Sequence, residues 1–225
     1  KDGRPLGWPV GGFPSPQGPF YCGVGMNKVY GRELVEEHAR LCNDVGLCLY
    51  GINAEVMPGQ WEFQVGYRGM QNEQCDPLTM SDHTWIARYL LHYLGEKHGI
   101  EISFANKPIT GDWNGAGMHT NFSTKTMRDS SCGKDTIDDA IGKLKANHHS
   151  HIEAYGHDLD KRLTGHHETC AINEFRSGVS DRGASIRIPV NTAKKGYGYI
   201  EDRRPGANAD PYVVSFKLLE TICSH

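Results

Sequence analysis

Residues 52–65, Ile-Asn-Ala-Glu-Val-Met-Pro-Gly-Gln-Trp-Glu-Phe-Gln-Val, place two short strand-forming runs on either side of Pro58-Gly59. A Pro-Gly step between two such runs specifies a β-hairpin. With Met57–Gln60 as a four-residue loop, Val56 is expected opposite Trp61 and Glu55 opposite Glu62. Two carboxylates facing each other at about 5 Å, in an effective dielectric near 20, repel by roughly 3 kcal/mol. That exceeds anything β-propensity returns. The pair must be neutralised, either by a shared proton or by a hard divalent cation that takes oxygen ligands. A register off by one residue would instead leave one of the two on a solvated face.

Charge narrows the possible partners. With 24 basic and 27 acidic residues and a pI near 6.5, the balance suggests neither nucleic acid nor an anionic membrane surface. Seven cysteines, an odd number with no C-x-x-C pair, argue against a secreted disulfide framework and for a reducing compartment. No stretch is long enough to span a bilayer and no leader or lipidation signal is present, so a cytoplasmic location is expected. The chain starts at Lys1 in what reads as mid-turn, without Met, which suggests that residues precede it.

A Gly- and Pro-rich segment over residues 2–25 reads as an ordered loop or linker. Helical spacing of Leu34, Val35, His38, Leu41, Cys42 and Val45 predicts a helix over 32–46, followed by hairpin strands 47–56 and 61–66. A second helix is expected from Ser81, as N-cap, to Gly99, with Trp85, Ile86, Tyr89, Leu90, Tyr93 and Leu94 in the core. Residues 100–106 alternate as a strand, and 111–117 form a glycine-rich loop. In the strand 118–124, His119, Asn121 and Ser123 share one face, and Met118, Thr120, Phe122 and Thr124 the other. A helix over 135–154, capped by Asp135, ends in His148-His149-Ser150-His151. Without partner Cys residues or an H-E-x-x-H pattern these histidines read as a solvated helix end with no assigned role. Strands over 184–189 and 197–203 follow, Arg187 pointing opposite to Ile186 and Ile188, and Tyr199, Glu201 and Arg203 sharing a face. The Asp210-Pro211 start opens a last helix running to about Cys223.

The polar strand faces carry Glu55 and Glu62, His119 with Asn121 and Ser123, Arg182 and Arg187, and Glu201 with Arg203. Carboxylates with one imidazole and no thiolate suit Mg²⁺ or Mn²⁺. Arginine forks match phosphate and carboxylate oxygens, so metal plus arginines points to phosphoryl transfer. No Walker-type or G-x-G-x-x-G loop occurs, so a nucleotide site would be built on strands.

These residues resemble the eukaryotic-type glutamine synthetases over essentially the whole chain. The resemblance is carried by Leu6-Gly-Trp-Pro with residues 16–25, by residues 53–64, by Trp113-Asn-Gly-Ala-Gly with His119-Thr-Asn-Phe-Ser-Thr124, by Arg162-Leu-Thr-Gly-His-His-Glu168, by Ser185-Ile-Arg-Ile-Pro189 and by Glu201-Asp-Arg-Arg-Pro205. It implies an α+β fold, a curved, half-barrel-like antiparallel sheet flanked by helices, with residues 1–225 as a catalytic-domain fragment. It implies ATP-dependent joining of ammonia to L-glutamate through a γ-glutamyl phosphate. Glu55, Glu62, His119 and Glu201 then correspond to metal ligands, the last three on the ion that bridges the ATP phosphates. Arg182 and Arg187 resemble the arginines on the transferring phosphoryl group. Arg162 and Arg203, with Arg182, Asp112, Trp113, Asn114 and Gly115, correspond to the substrate-binding set. Glu62, Phe63, Gln64, Val65, Gly66 and Tyr67, with Asn121, Phe122, Ser123, Tyr199, Ile200 and Glu201, match nucleotide-contacting stretches. Glu168 resembles a mobile flap acid that excludes water and helps take a proton from ammonium. A homo-oligomeric ring, a decamer, is the family's assembly.

The chain departs from that pattern in lacking the Glu-x-Glu strand and the small N-terminal β-domain that precede this segment in the family, so by itself it is expected to bind metal–ATP weakly and form no glutamine. Asp181 stands where Asn is common, and Ile200 where an aromatic is usual. Two other readings are a non-catalytic relative on the same scaffold and a ligase that joins glutamate to another amine.

Overall fold

The structure is a computed structural model describing residues 4–224, so the first three residues, where the mid-turn start falls, lie outside it. The chain divides between Ser103 and Phe104 into two compact units. Together they make a mixed α+β chain of helices and small sheets.

The first unit holds α1 (Arg32–Asp44), the hairpin strands β1 (Leu49–Ala54) and β2 (Trp61–Val65), and α2 (Pro77–His98). One hairpin face, with Leu49, Ile52, Phe63 and Val65, packs with Cys42 of α1 and Ala87 and Leu90 of α2. The Gly- and Pro-rich segment is ordered along β1, where Gly18 N–H donates to Val56 O and Cys22 N–H to Ala54 O, both at 2.9 Å.

The hairpin register corrects the expectation. Asn53 pairs with Glu62 and Ala54 with Trp61, so Glu55 is not opposite Glu62. The Met57–Gln60 turn does close, Gln60 N–H donating to Met57 O at 3.1 Å, with Gly59 at φ 76. Val56 instead turns its carbonyl to Gly18, and Glu55 N–H takes up Gln60 O at 2.9 Å, which slides the pairing by two residues. A two-residue slide preserves side-chain parity, so both glutamates stay on one face.

Helix α2 starts earlier than its apolar pattern suggests. Asp76, not Ser81, is the N-cap, accepting from Leu78 N–H and Thr79 N–H at 3.0 and 3.1 Å, with Pro77 in the first turn. The helix buries its narrow residues, Ser81, Ala87 and Gly95, together with Arg88 and Leu94. Trp85, Ile86, Tyr89 and Tyr93, expected in the core, are exposed instead. Residues 100–106 form no strand: their alternation finds no ladder to join.

The second unit runs β3 (Thr120–Phe122), a short 3₁₀ turn, α3 (Gly133–Ala146), α4 (His148–Ala154), α5 (Leu159–Arg162), β4 (Ser177–Val179), β5 (Ile186–Ile188), α6 (Val190–Lys195), β6 (Ile200–Asp202) and α7 (Pro211–Cys223). Its four-stranded sheet has the order β3-β6-β5-β4, antiparallel except for the parallel pair β4–β5. The strands fall into two small sheets, one in each unit. Ile186, Ile200, Met127, Leu144, Tyr155, Val214 and Leu218 are among the residues that form the core on one side of the four-stranded sheet. As expected, Asp210 caps α7, accepting from Tyr212 N–H at 2.9 Å.

The helix expected over 135–154 is two helices. It starts at Gly133 without a side-chain cap and breaks at Asn147, whose Nδ2 donates to Lys143 O at 2.9 Å in competition with the backbone ladder. The break turns α4 inward, so His148 and His151 are buried rather than solvated, at 6% and 0% exposure. Among the described residues no helix is long and apolar enough to cross a membrane.

Candidate active site

Period-two alternation gives β6 two chemical faces. Ile200, Asp202 and Arg204 point into the core; Glu201 and Arg203 point the other way. In register, Asn121 of β3 pairs with Glu201, and Glu201 with Arg187 of β5, so these three lie in one row across the sheet. Glu201 is the hub. Its Oε1 accepts from Arg203 Nη1 at 2.9 Å and lies 3.4 Å from His119 Nδ1, while its Oε2 accepts from Arg187 Nη1 at 3.2 Å.

His119 Nε2 accepts from Arg162 Nη2 at 3.1 Å, which leaves the ring proton on Nδ1, facing Glu201. Desolvation first, then Arg203, Arg162, Arg187 and Arg182, hold His119 well below the usual imidazole pKa, so it is neutral. Arg162, 5% exposed, also donates to Arg203 O at 3.0 Å and to Arg204 O at 3.1 Å. Burial, with Arg203 nearby, brings its pKa down to about 10. Through these bonds Arg162 braces the end of β6 and the imidazole. The glycine-rich loop makes room for it, since a Cβ at Gly115 or Gly117 would collide with the Arg162 side chain.

Arg203 Nη2 reaches Glu168 O at 3.5 Å. The Nε donors of Arg203 and Arg187 are buried without a hydrogen-bond partner. Unpartnered guanidinium donors beside a carboxylate hub are suited to an incoming anion. Glu168 Oε2 pairs with Arg182 Nη2 at 2.9 Å, both side chains half-exposed. His167 and Glu168 adopt left-handed φ values of 54° and 61°, a strained pair of non-glycine residues. His167 Nε2 lies 3.2 Å from Asp112 Oδ1, and an open cleft of about 740 Å³ is lined there by Lys107, Thr110, Asp112, Lys161, Thr164 and His166, among others. Lys107 Nζ holds Trp113 O, and Asn114 and Gly115 continue that loop.

The expected nucleotide stretches divide between faces. Asn121 is exposed in the Glu201 row, and Ser123 accepts from Arg128 Nη1 through Oγ at 2.7 Å and O at 3.0 Å. Phe122 and Ile200 pack in the core and offer only backbone. Tyr199 is exposed, and its carbonyl accepts from Thr192 Oγ1 at 2.9 Å. In the first unit, Phe63 and Val65 pack on the apolar cluster, Gly66 N–H donates to Cys48 O, and Tyr67 is exposed. Glu55 and Glu62 share their face with Asn53 and Gln64: Asn53 Nδ2 donates to Glu55 Oε1 at 3.0 Å, and Gln64 Nε2 to Glu62 Oε1 at 2.5 Å.

His119 Nδ1 and Glu201 Oε1 stand 3.4 Å apart, near the roughly 3 Å between adjacent ligands of an octahedral ion with 2.0–2.1 Å bonds, and Nδ1 would ligate only in the tautomer that carries its proton on Nε2 and gives up the Arg162 bond. Among the described residues no three His, Cys, Asp or Glu side chains stand together as a ready cation site. Glu55 and Glu62 in the first unit, and His119 and Glu201 in the second, are each a pair of oxygen or imidazole donors of the kind a hard divalent ion takes.

Sequence reasoning missed the layer behind the site. Arg204 forms a fork on Asp202, Nε to Oδ1 at 2.9 Å and Nη2 to Oδ2 at 2.7 Å, and donates through Nη1 to His148 Nδ1 at 3.2 Å. Tyr155 OH donates to Asp202 Oδ2 at 2.8 Å and lies 2.5 Å from His151 Nδ1, whose Nε2 is 2.7 Å from Thr221 Oγ1. His148 Nε2 donates to Ile172 O at 2.8 Å, beyond the Glu168 loop. The signal was present in Glu201-Asp-Arg-Arg204, whose alternation sends every second charged residue inward.

Burial first, then Arg204, pulls the His151 pKa from 6.5 to about 4. Its folded value lies below its unfolded one, so the stability it contributes is complete above pH 6.5 and is lost as the pH falls toward 4. Over that window roughly 3 kcal/mol disappears. Urea midpoints measured across this range should fall with acid, and His151→Gln should flatten that slope.

The fold and site define an α+β chain with a carboxylate-centred, arginine-rich anion site on a mostly antiparallel sheet. Residues 20–222 match the family described as glutamine synthetase, catalytic domain, and the chain belongs to it. It is 57% identical over 220 residues to a glutamine synthetase of Yarrowia lipolytica, covering 98% of this chain and 58% of that protein. The match to a glutamine synthetase of Suillus bovinus is 56% over 220 residues, covering 98% and 60%. For that of Saccharomyces cerevisiae it is 56% over 217 residues, covering 96% and 56%. The chain therefore spans somewhat under two thirds of the length of these relatives.

Proposed function

We propose that residues 1–225 are catalytic-domain sequence of a glutamate–ammonia ligase that makes L-glutamine, ADP and phosphate from L-glutamate, ammonia and ATP. The observation that carries the reading is the Glu201 hub, where Arg187, Arg203 and His119 converge and two buried Nε donors lack partners. Glu62, His119 and Glu201 would hold the ion on the ATP phosphates and Glu55 a second; Mg²⁺ or Mn²⁺ bound there supplies positive charge to the phosphates. The nucleotide lies along the strand stretches named above, including the backbone of Phe63–Tyr67 and Ile200.

Arg182 and Arg187 then face the transferring phosphoryl group, and Arg203 holds a glutamate carboxylate, positioned by Arg162 through its own carbonyl. A γ-carboxylate oxygen of glutamate attacks the terminal phosphorus and ADP leaves, giving the acyl phosphate. Ammonia attacks the acyl carbon and phosphate leaves with the carbon–oxygen bonding pair. Glu168 takes the proton that ammonium gives up, and its loop, with Asp112, Trp113, Asn114 and Gly115, keeps water from the intermediate. The pairing of Glu168 with Arg182 supports this, because a phosphoryl group that engages Arg182 releases the carboxylate as base. The half-barrel form of the sheet, a cytoplasmic location and a ring of identical subunits, a decamer, belong to the same proposal.

The test is ¹⁵N-ammonium with glutamate, Mg²⁺ and ATP, using the natural full-length protein that carries these residues. The expected result is ¹⁵N in the glutamine amide with one phosphate released per amide. Preferential use of methylamine over ammonia in competition would mark a ligase for another amine. Absence of any amide would mark a non-catalytic relative. Either outcome overturns the reading.

A further inference from the structure

The polar face of the β1–β2 hairpin carries more than two carboxylates. Gln64 Nε2 donates to Glu62 Oε1 at 2.5 Å and lies 3.4 Å from Asn53 Oδ1, and Asn53 Nδ2 donates to Glu55 Oε1 at 3.0 Å. The order Glu62, Gln64, Asn53, Glu55 is a closed donor–acceptor sequence. Because carboxylates only accept, both amide orientations are set: flipping either one would point oxygen at oxygen. Gly51 completes the arrangement. It pairs with Gln64 across the hairpin, and a Cβ there would collide with Gln64 Oε1, so only glycine lets the Gln64 side chain lie flat over β1.

We propose that Asn53 and Gln64, seated over Gly51, are positioning residues that hold Glu55 and Glu62 to one-oxygen ligation and so select a small octahedral ion over calcium. This rests on reading those glutamates as metal ligands. Ca²⁺ takes six to eight oxygens at 2.3–2.6 Å and often grips a carboxylate through both oxygens, whereas Mg²⁺ takes single oxygens at 2.0–2.1 Å. An amide N–H already on Oε1 of each glutamate disfavours the two-oxygen grip and leaves one-oxygen binding in place. The same amides lie between the two carboxylates, which the register already keeps from standing directly opposite each other.

The test compares Mn²⁺ and Ca²⁺ dissociation constants, by calorimetry with ADP present, in the natural full-length protein and in an N53L/Q64M variant that keeps side-chain volume but removes the donors. The preference for Mn²⁺ should narrow about tenfold, in line with losses on removing groups that orient metal ligands. Gly51→Ala displaces Gln64 without deleting a polar group and should narrow it too; it serves where the double variant fails to fold by circular dichroism. An unchanged preference in a folded variant that still binds Mn²⁺ overturns the inference and leaves the metal reading standing. A wild-type protein that takes up no Mn²⁺ overturns the metal reading and the inference with it.

Discussion

Arg204→Met should destabilise the protein by about 3–5 kcal/mol, enough to unfold a marginal domain at ambient temperature. Asp202 is fully buried and Arg204 is 1% exposed. Burial works against the Asp202 charge, but Arg204 and the hydrogen bonds it receives hold its pKa below the usual carboxylate range. Burial likewise opposes the Arg204 charge, while Asp202 keeps its pKa raised. Removing the guanidinium strands a carboxylate in the core and takes a partner from His148. Replacing both, Asp202→Leu with Arg204→Met, should recover most of the loss, because no buried charge then lacks its partner. Urea denaturation of the two variants checks this; equal losses in single and double variants would mean that the pair is not what the core depends on.

On the function proposed above, Glu201→Gln should lower glutamine formation by the natural full-length protein at least about 100-fold, the scale of losing one preorganised electrostatic group. The carboxamide keeps the shape but no longer neutralises Arg187 and Arg203, and its NH₂ opposes one of their N–H donors. It also removes the carboxylate beside His119 that is proposed as a metal donor. Steady-state kinetics with matched circular dichroism decide it. Near-normal turnover would exclude Glu201 as the centre of the site.

The two substitutions act on neighbouring residues of one strand, which shows what alternation does and does not reveal. That Glu201 and Arg203 share a face with His119 and Asn121, and that Arg187 opposes Ile186 and Ile188, was readable because side-chain direction in a strand is a property of the local backbone. The inward half of the same pattern, Asp202 and Arg204, was not, because buried charge looks implausible until its partner is known. His148 and His151 belong to that partner set, and only the break at Asn147 turns them toward it. On α2, period 3.6 shows that Trp85, Tyr89 and Leu90 lie near one another, but not which side is covered. The covered side is the one with small residues, where backbones can approach closely.

By itself the sequence determined α1, α7, the hairpin turn, the two faces of β6 and, through motif resemblance, the family, since all of these are written in short-range patterns. Tertiary structure alone decided the hairpin register, through the bond between Gly18 and Val56, and with it the amide bridge from Glu55 to Glu62. It also decided that Arg162 braces the end of β6 and that a buried ion pair lies behind the site. The physical reason is shared: Gly18 and Val56, Arg162 and the β6 carbonyls, and the Tyr155 and His148 side chains that meet the buried Asp202–Arg204 pair are all distant in sequence, and a donor's direction says nothing of which acceptor the folded chain will bring to it.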